Sequence, residues 1–380
     1  MNDSLQESCA RVLFAGDIRL LDEHAGSLFD EAVQAYADGF DLRCCNFEGA
    51  VPHDHAVTHK KAGPAVMQGE GAARRVLDSG FNLVTLANNH AMDYGARGLS
   101  ATLDALSGAQ TIGAGLSPAD AYKPYIAEIN GVKLGFLAVS ERQYGTLDGT
   151  LAAGAAWIGE PRVLNDIRLL KLECAHVIVL CHAGLEDVHQ PLLQWRELYR
   201  QFIRVGASAV VCHHPHVPQG YERYRAGVIV YSLGNTAWEP ASDFPAGYSL
   251  LCGISFGSQD VRDVSLRPVV YEGGALRFDE SAETAAHFDS LNRVLNDPAA
   301  YLAESRRMCR AFYEQVALPD FFTVTGALPG GAWQQFKNAW KLLLRKRALN
   351  EPLLRSMLDN ESYRYAVSNA LRPDVDEQRE

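Results

Sequence analysis

A strand pattern leads directly into three histidines in the stretch Val210-Val-Cys-His-His-Pro-His-Val217. Imidazole is the commonest protein ligand for transition metals. Residues two apart on an extended segment point to the same side, so we expect His214 and His216 to aim ring nitrogens at one point. His213 would face the other way. A polar loop with a chance excess of histidine is the alternative, and the rest of the chain decides between the two.

Short aliphatic runs alternate with amphipathic stretches on both sides of this segment. The runs predict strands over Val12–Ala15, Leu42–Asn46, Leu83–Ala87, Thr111–Ile112, Lys133–Val139, His176–Cys181, Ala209–Cys212, Val228–Ser232 and Leu250–Ser255. The stretches predict helices over Leu28–Asp38, Gly71–Ser79, Ala96–Ser107, Pro161–Lys171 and Pro191–Val205. Strand and helix in alternation is the α/β pattern, which implies covered and largely buried sheets.

The pattern changes after about Val270. Residues 281–317 and 333–371 are predicted to be helical, since apolar residues such as Trp340, Leu343 and Leu344 recur at helical spacing. A turn-rich link over residues 318–331 joins them. We therefore expect a first domain over residues 1–275 and a helical C-terminal extension over residues 276–380 that packs on or beside it. The basic amphipathic run at residues 337–347 is interpreted as the solvated face of a packed helix, with a membrane-surface helix as the alternative.

The overall charge limits the classes of partner. A formal net charge of −11 argues against non-specific binding to nucleic acid or to an anionic membrane. Bound cations reverse the local field, so an anionic substrate stays possible. No apolar run approaches the roughly 20 residues that span a bilayer, and the N-terminus lacks a signal-peptide pattern. We expect a cytoplasmic protein without a transmembrane anchor, whose eight scattered cysteines are buried hydrophobes rather than disulfides.

At five places a residue able to bind a metal directly follows an apolar strand. They are Asp17, Glu48, the Asn88-Asn89-His90 group with Asp93, His182 with Glu186, and the pair His214 and His216. Open α/β sheets bind ligands outside the carboxyl ends of their strands, so the five exits are expected to converge on one cleft. Each also fits a structural role when taken alone: Asp17 as a helix N-cap, Glu48 as a loop acid, Asn89 as a turn residue, and His182 as a core histidine.

The mixture of carboxylate, amide and imidazole indicates a particular kind of metal site. Its ligand atoms are harder than the thiolates of a structural zinc site. It also has more imidazoles than a calcium or magnesium site. It suits two adjacent divalent ions such as Mn, Fe or Zn, about 3.5–4 Å apart and bridged by a carboxylate. Such a pair acidifies a bridging water and clamps the reacting centre. His90 beside the ligands is then the expected general acid.

Six blocks of the sequence resemble the CapA/PgsA family, which is associated with poly-γ-glutamate capsule synthesis. They are Gly16-Asp17, Asn46-x-Glu48-Gly49, Asn88-Asn89-His90-x-x-Asp93-x-Gly95, His182-x-Gly184-x-Glu186, His214-Pro-His216-Val217-x-Gln219 and Tyr231-Ser-Leu-Gly-Asn235. The resemblance covers roughly residues 10–270. It implies membership of the calcineurin-like metallophosphoesterase superfamily, with a four-layer sandwich of two mixed β-sheets flanked by helices.

The resemblance also implies roles for individual residues. It carries over the metal ligands Asp17, Glu48, Asn89, His182, His214 and His216. His90 would be the acid, with Asp93 and Glu186 beside it in the catalytic group, Glu186 as a pocket residue. Candidate substrate contacts are Arg19, Asn46 and Asn235. The planar guanidinium of Arg19 suits a phosphate or carboxylate, with a surface arginine as the alternative; a structural turn is the alternative for Asn235.

Two departures bear on function, one in the metal ligands and one in location. The wider superfamily begins with Asp-x-His, whereas position 19 here is arginine, so one metal site lacks its usual histidine. Like the family it resembles, this chain also has Glu48 where the superfamily places an aspartate, and the longer side chain affects the metal spacing or the filling of one site. Many family members carry an N-terminal membrane anchor, and none is recognised here, which puts a direct role in capsule export in doubt.

The leading hypothesis is a metal-dependent hydrolase in which a metal-activated hydroxide attacks a phosphoester, or an amide or ester of an acidic polymer. The alternative is an accessory module, without turnover or with little, that binds an anionic polymer or a biosynthetic protein partner. The two hypotheses share one ligand set, so the sequence leaves the choice open.

Overall fold

The computed structural model describes residues 9–21, 24–51, 61–240, 247–325 and 350–372. The strands are β1 Ala10–Arg19, β2 Leu42–Phe47, β3 Leu83–Thr85, β4 Gln110–Ile112, β5 Ala114–Gly115, β6 Tyr125–Ile129, β7 Val132–Ser140, β8 Thr146–Leu147, β9 Gly154–Ala156, β10 His176–His182, β11 Ala209–His213, β12 Tyr221–Tyr224, β13 Gly227–Val230, β14 Asn235–Trp238, β15 Ser249–Phe256, β16 Val261–Glu272 and β17 Ala275–Phe278. The helices are α1 Glu31–Ala37, α2 Ala72–Asp78, α3 Gly95–Ala105, α4 Pro118–Ala121, α5 Arg162–Glu173, α6 Leu193–Val205, α7 Ala282–Asn296, α8 Pro298–Phe312, α9 Leu318–Thr325, α10 Glu351–Asp359 and α11 Glu361–Ala370.

Two large mixed sheets form the centre of the molecule. The first has the order β17-β16-β15-β1-β2-β3-β4, with β14 pairing to the end of β1. The second has the order β12-β13-β11-β10-β7-β6. Parallel pairs join β1 to β2 and β10 to β11, so the carboxyl ends of these strands lie at a common edge of each sheet. A small third sheet of β5, β9 and β8 was not predicted.

Three apolar clusters separate four layers. The central cluster lies between the two sheets and joins side chains such as Phe14 and Leu83 to Phe136 and Val211. A second cluster covers the outer face of the first sheet with α1, α2 and α3. A third covers the outer face of the second sheet with α5 and α6. The predicted α/β sandwich of two mixed sheets flanked by helices is therefore confirmed.

Local signals account for the bounds of single helices. Asp30 caps α1 by accepting a hydrogen bond from Val33 N at 2.8 Å. The helix predicted from Leu28 therefore begins three residues later, and Phe29 instead bridges to Leu276. In α6 the buried aromatic side chains Trp195, Tyr199 and Phe202 recur at helical spacing and face the third cluster.

The C-terminal helices pack on the second sheet rather than standing apart. Tyr301 of α8 and Ala366 of α11 are buried in the same cluster as α6. The link predicted as turn-rich is wrong at its start, since Leu318–Thr325 is helical. A π-helical turn at Tyr313–Ala317 lies one residue before Leu318-Pro319, where proline has no backbone N–H to donate. Residues 326–349, with Trp340, Leu343 and Leu344, lie outside the described residues.

The predicted boundary between the two domains stays a prediction. Strand β17 extends from Ala275 to Phe278 and pairs with β16, so sheet and extension meet within that strand. Every cysteine is a free thiol, and all but Cys9 are buried. In the part of the chain that the structure describes, no helix is both long and apolar enough to cross a bilayer.

Candidate metal centre

The strand exits of both sheets converge on one buried cluster. Asp17 lies near the end of β1, Glu48 directly follows β2, and His182 ends β10. Ligand atoms of these three residues all lie within 4.8 Å of one another. Glu48 forms a second group of the same size with His214 and His216. Four of the five exits therefore converge in the fold, and Glu48 is common to both groups as a bridging carboxylate would be.

Unsatisfied polar atoms point to a cation between these side chains. Among the described residues, neither carboxylate oxygen of Glu48 has a hydrogen-bond partner, and neither has Nδ1 of His214. Glu48 is completely buried, and a buried carboxylate without partners is costly. Burial, followed by the nearby carboxylates of Asp17 and Glu186, raises the pKa of Glu48 well above its ordinary value. A divalent cation would remove both costs, so these residues fit a metal.

Two histidines of the cluster, His182 and His214, are held in the neutral form that binds metal. Burial, reinforced by His214 and other imidazoles, lowers the pKa of His182 well below its ordinary value. Burial also lowers the pKa of His214 to about 4. Only neutral imidazole can coordinate, so both side chains are ready to bind without losing a proton at neutral pH.

The prediction that the histidine segment is extended is wrong. The expected convergence of its two imidazoles on one point is nevertheless confirmed. Strand β11 ends at His213, and His214 and His216 have φ angles of 96° and 60°. These left-handed conformations, and not the alternation of a strand, bring both imidazoles to the cluster. His213 points elsewhere and contacts Ala15 O through Nε2 at 3.3 Å.

A chain of amides positions the acidic ligand of β1. Asn46 Nδ2 donates to Asp17 Oδ1 at 2.7 Å, and Asn88 Nδ2 donates to Asn46 Oδ1 at 3.1 Å. Asn88 Oδ1 in turn accepts from His90 N at 3.1 Å. Asn46 thus orients Asp17, while its predicted contact with substrate stays a prediction. Asn89 lies beside the cluster, with Oδ1 3.0 Å from His182 Nε2.

His90 forms a pair with Asp93 next to Glu48. His90 Nδ1 lies 2.7 Å from Asp93 Oδ2, and His90 Nε2 lies 3.9 Å from Glu48 Oε1. Lys61, which was not among the predicted site residues, makes an ion pair with Asp93 and lies 3.0 Å from His90 Nδ1. Burial lowers the pKa of His90, against the opposing hydrogen bond to Asp93.

The other predicted residues surround the cluster. Arg19 donates to the carbonyl oxygens of Glu239 at 2.6 Å and Met67 at 3.3 Å, and its substrate role stays a prediction. Asn235 Oδ1 lies 2.9 Å from His216 Nδ1, which orients that ring. Glu186 is exposed. Partial enclosure of its carboxyl raises its pKa, but the imidazoles of His214, His216 and His90 outweigh this effect, and the net pKa is lowered.

Sequence reasoning missed a sixth strand exit. Glu141 follows β7 and is completely buried, and its Oε1 lies 3.4 Å from His214 Nε2. Its carboxylate accepts hydrogen bonds from Gly184 N at 3.1 Å and Ser362 N at 3.0 Å. Burial raises the pKa of Glu141 to about 8, against those hydrogen bonds. The strand-exit rule applied to β7 would have found it, since Glu141 directly follows an apolar strand.

The family of the chain follows from a comparison with known proteins. Residues 11–239 match the family described as bacterial capsule synthesis protein PGA_cap. The chain belongs to this family. The recognition of capsule-synthesis motifs in the sequence is thereby confirmed. The six predicted metal ligands all lie inside the PGA_cap region, whereas Ser362 lies outside it.

Two curated relatives carry related names. The chain is 30% identical over 223 residues to the capsule biosynthesis protein CapA of Bacillus anthracis, a match that covers 54% of this chain and 53% of that protein. It is 34% identical over 224 residues to the PGA biosynthesis protein CapA of Bacillus subtilis strain 168, a match that covers 57% of each. This PGA_cap protein therefore spans about half the length of the curated relatives it matches.

Solved structures resemble the chain at low identity. A hypothetical protein from Thermus thermophilus has a TM-score of 0.42 and 19% identity, and the match covers 69% of this chain and 100% of that one. A protein described as a novel phosphatase, from Mycoplasma pneumoniae, has a TM-score of 0.43 and 12% identity, with 70% and 95% covered. Both likenesses are distant.

Proposed function

We propose that this PGA_cap protein is a metal-dependent hydrolase that acts on a phosphoester, or on an amide or ester of an acidic polymer. The observation that carries the proposal is the bare, buried carboxylate of Glu48 shared by two groups of potential ligands. Stable folding does not explain such a group, because a carboxylate without partners opposes burial. A role in holding cations does explain it.

Six side chains would hold two divalent cations of Mn, Fe or Zn. Glu48 would bridge them, and the remaining ligands would be Asp17, Asn89, His182, His214 and His216. When bound, the cations would supply charge neutralisation and an acidified water. Asn46 keeps Asp17 in place through its 2.7 Å hydrogen bond. Asn235 does the same for His216 through a contact of 2.9 Å.

His90 in its doubly protonated form would give the proton on Nε2 to the leaving group and would be left as a neutral ring with its proton on Nδ1. The 2.7 Å contact with Asp93 keeps a proton on Nδ1 of His90 and fixes the ring plane. Nε2 is then the nitrogen that faces the cluster, 3.9 Å from Glu48. Lys61 makes an ion pair with the same carboxylate of Asp93. In this pair a carboxylate orients a histidine, as in other sites of general acid catalysis.

The substrate is proposed to be anionic. Lys61 brings a buried cation to the edge of the cluster, and bound metals would add further positive charge. The family is described by capsule synthesis, and one relative is named for PGA biosynthesis, which supports an acidic polymer. Phosphoester and amide hydrolysis require the same ligand set, so both are tested below.

The same names favour a second candidate function. Both relatives are named for biosynthesis and not for hydrolysis. In that case the cluster would bind an anionic polymer or dock a biosynthetic partner, without turnover. A cytoplasmic location and a protein partner are further proposals that go with either function.

Replacing His90 separates the two candidates. We expect His90→Ala to lower kcat by about 10²–10⁴-fold, the usual contribution of a general acid, while the metal content stays that of the wild type. Protein purified without chelators is analysed for Mn, Fe and Zn. The protein is then assayed with p-nitrophenyl phosphate esters and γ-glutamyl amides in the presence of the metals that the analysis finds.

The exposed residue His24 provides a matched control, and His24→Ala should leave both readouts unchanged. Stoichiometric metal without turnover in the wild type would favour the binding function. Absence of bound metal, together with no hydrolysis after metals are restored, would contradict both the metal site and the hydrolase.

A further inference from the structure

The carboxylate of Glu141 connects the candidate metal centre to the last helix. Its Oε2 accepts hydrogen bonds from Ser362 N at 3.0 Å and from Ser362 Oγ at 2.7 Å. Its Oε1 accepts from Gly184 N and from Gln143 Nε2, each at 3.1 Å, and lies 3.4 Å from His214 Nε2. One oxygen therefore faces the histidine, and the other is held by helix α11.

The beginning of α11 is fixed by contacts on several sides. Glu361 Oε2 accepts from Arg142 N at 2.7 Å and from Trp157 Nε1 at 3.2 Å. Ser362 is completely buried, and its Oγ accepts from Trp195 Nε1 at 2.7 Å. The segments that follow β7 and β9, together with α6, thus hold the helix, so Ser362 is a firm anchor for Glu141.

The two nitrogens of His214 are divided between two tasks. Nδ1 is buried without a hydrogen-bond partner among the described residues, as suits a nitrogen that binds a cation. A ring bound through Nδ1 carries its proton on Nε2. The amide of Gln143 also faces Nε2, at 3.0 Å, but with its nitrogen, because its oxygen accepts from Asn89 Nδ2. In a ring bound through Nδ1, the Glu141 oxygen 3.4 Å from Nε2 would be the acceptor that faces the Nε2 proton.

We propose that Ser362 is a positioning residue of the metal centre, which acts by holding Glu141 and through it the ring of His214. The inference rests on the proposed function, because it assigns His214 to a cation. It gives the C-terminal extension a task at a site 221 residues away in sequence. Carboxylate partners of a metal-bound histidine fix its tautomer and orientation, and their loss weakens metal binding about 10–100-fold.

The test measures the dissociation constants of Mn²⁺ and Zn²⁺ by competition with a chromophoric chelator, on the full chain. We expect Ser362→Ala to raise them about 10–100-fold and Glu141→Gln to raise them at least as much. Tyr363→Phe is the matched control, because it removes one hydroxyl hydrogen bond, to Asp320, from the same helix. It should leave the dissociation constants unchanged.

Two further readouts distinguish positioning from a loss of general stability. The double variant Ser362→Ala with Glu141→Gln should bind metal no more weakly than Glu141→Gln alone, since both act by one route. In metal-free protein labelled with ¹⁵N-histidine, Ser362→Ala should shift the ring signals of His214. The ring signals of His176, which contacts Ser208 and Gly257, should stay in place.

Unchanged metal affinity in Ser362→Ala, with the wild type binding metal, would overturn this inference and leave the proposed function intact. Additive losses in the double variant would also overturn it. If the wild type binds no metal, the proposed function fails, and the His214 signals alone decide whether Ser362 positions the ring. Identical His214 signals in wild type and Ser362→Ala would then reject it.

Discussion

The buried side chain of Glu48 lowers the stability of the fold, although the proposed function requires it. Its side chain is completely buried, and no described residue donates a hydrogen bond to either oxygen. The carboxylates of Asp17, Glu186 and Asp93 add repulsion, which Lys61 only partly relieves. The proposed site for two cations would account for this arrangement, because it would need an anionic ligand between them.

Glu48→Gln is expected to stabilise the metal-free protein. A raised carboxyl pKa means that the folded chain binds the proton more tightly than the unfolded chain, so stability falls as the pH rises above the ordinary value of 4.5. Glutamine removes that loss. The advantage of the variant in free energy of unfolding should therefore grow with pH above that value, as urea denaturation in chelator would measure.

Added metal should make the wild type more stable to unfolding than Glu48→Gln. At a metal concentration about 100-fold above the dissociation constant, the wild type gains about 2.7 kcal/mol, whereas Glu48→Gln should gain little. Glu128→Gln at an exposed position is the control and should behave as the wild type does. A metal-free Glu48→Gln protein less stable than the wild type would argue against the cost assigned to this carboxylate.

At the scale of elements, strand β1 changes its paired strand close to the metal ligand that it carries. Residues Ala10–Phe14 pair with β15, whereas Asp17 pairs with Asn235 of β14. Gly16 lies at this change, and a Cβ there would stand 2.0 Å from Gly234 O. The close approach of two backbones at Gly16 therefore sets the position of Asp17.

Gly16→Ala should destabilise the fold and weaken the metal site together. A methyl group that meets backbone oxygen forces a shift of β1 or β14, and overpacking of this kind costs about 1–3 kcal/mol. Asp17 would move with the strand, so the Mn²⁺ dissociation constant should rise as well. Urea denaturation and chelator competition measure the two effects.

Gly108→Ala is the matched control, since a Cβ there meets only the side chain of Leu77, at 3.1 Å. A side-chain methyl can rotate away, so this variant should lose less stability and keep its metal affinity. If the two variants lose the same stability and the same metal affinity, the β1–β14 contact has no special role.

Sequence patterns predicted well the strands that lead to the candidate metal ligands. Runs such as His176–Cys181 are buried on both faces and lack polar interruptions, so the local pattern sufficed. Strands β14, β16 and β17 were missed because they are edge or partly exposed strands without a long apolar run. The extended conformation predicted for the His214 segment failed because left-handed backbone at a non-glycine residue has no reliable signal in sequence.

At the scale of the whole molecule, a buried ionic network joins the C-terminal helices to the second sheet. Glu222 accepts from Arg196 Nη2 at 2.9 Å, from Arg200 Nε at 2.7 Å and from Tyr231 OH at 2.8 Å. Arg196 also donates to Leu295 O of α7 at 2.9 Å. The network thereby links α6, β12 and β13 to the extension.

Glu222→Ala should therefore destabilise the protein strongly. It leaves two buried or half-buried guanidinium groups without their partner, a loss of about 3–5 kcal/mol for a buried pair. Glu197→Ala removes an exposed partner of the same Arg200, 3.0 Å away, and should cost at most about 1 kcal/mol. Urea denaturation at neutral pH measures both, and equal losses would contradict the role of the buried network.

The pH dependence has a definite sign. Burial alone would raise the pKa of Glu222, but hydrogen bonds from Arg200, Arg196 and Tyr231 lower it below the ordinary value of 4.5. The stabilisation is therefore complete above that value and is lost as the pH falls through the lowered pKa. The wild type should lose more stability than Glu222→Ala in this acidic range.

The assembly of the site from distant segments could be predicted only in part. One rule, polar residues at strand ends of an α/β sheet, brought Asp17, Glu48 and His182 together. It required no knowledge of strand order. The contact of Ser362 with Glu141 depends on how the C-terminal helices dock, and no local pattern encodes a pairing across 221 residues.

The most direct test of the central claim is anomalous diffraction from crystals of the full chain grown with Mn²⁺. The account predicts two anomalous peaks roughly 3.5–4 Å apart, with Glu48 between them and with His182, His214 and His216 among the ligands. Crystals with Mn²⁺ present and no anomalous peak within bonding distance of Glu48 would contradict it.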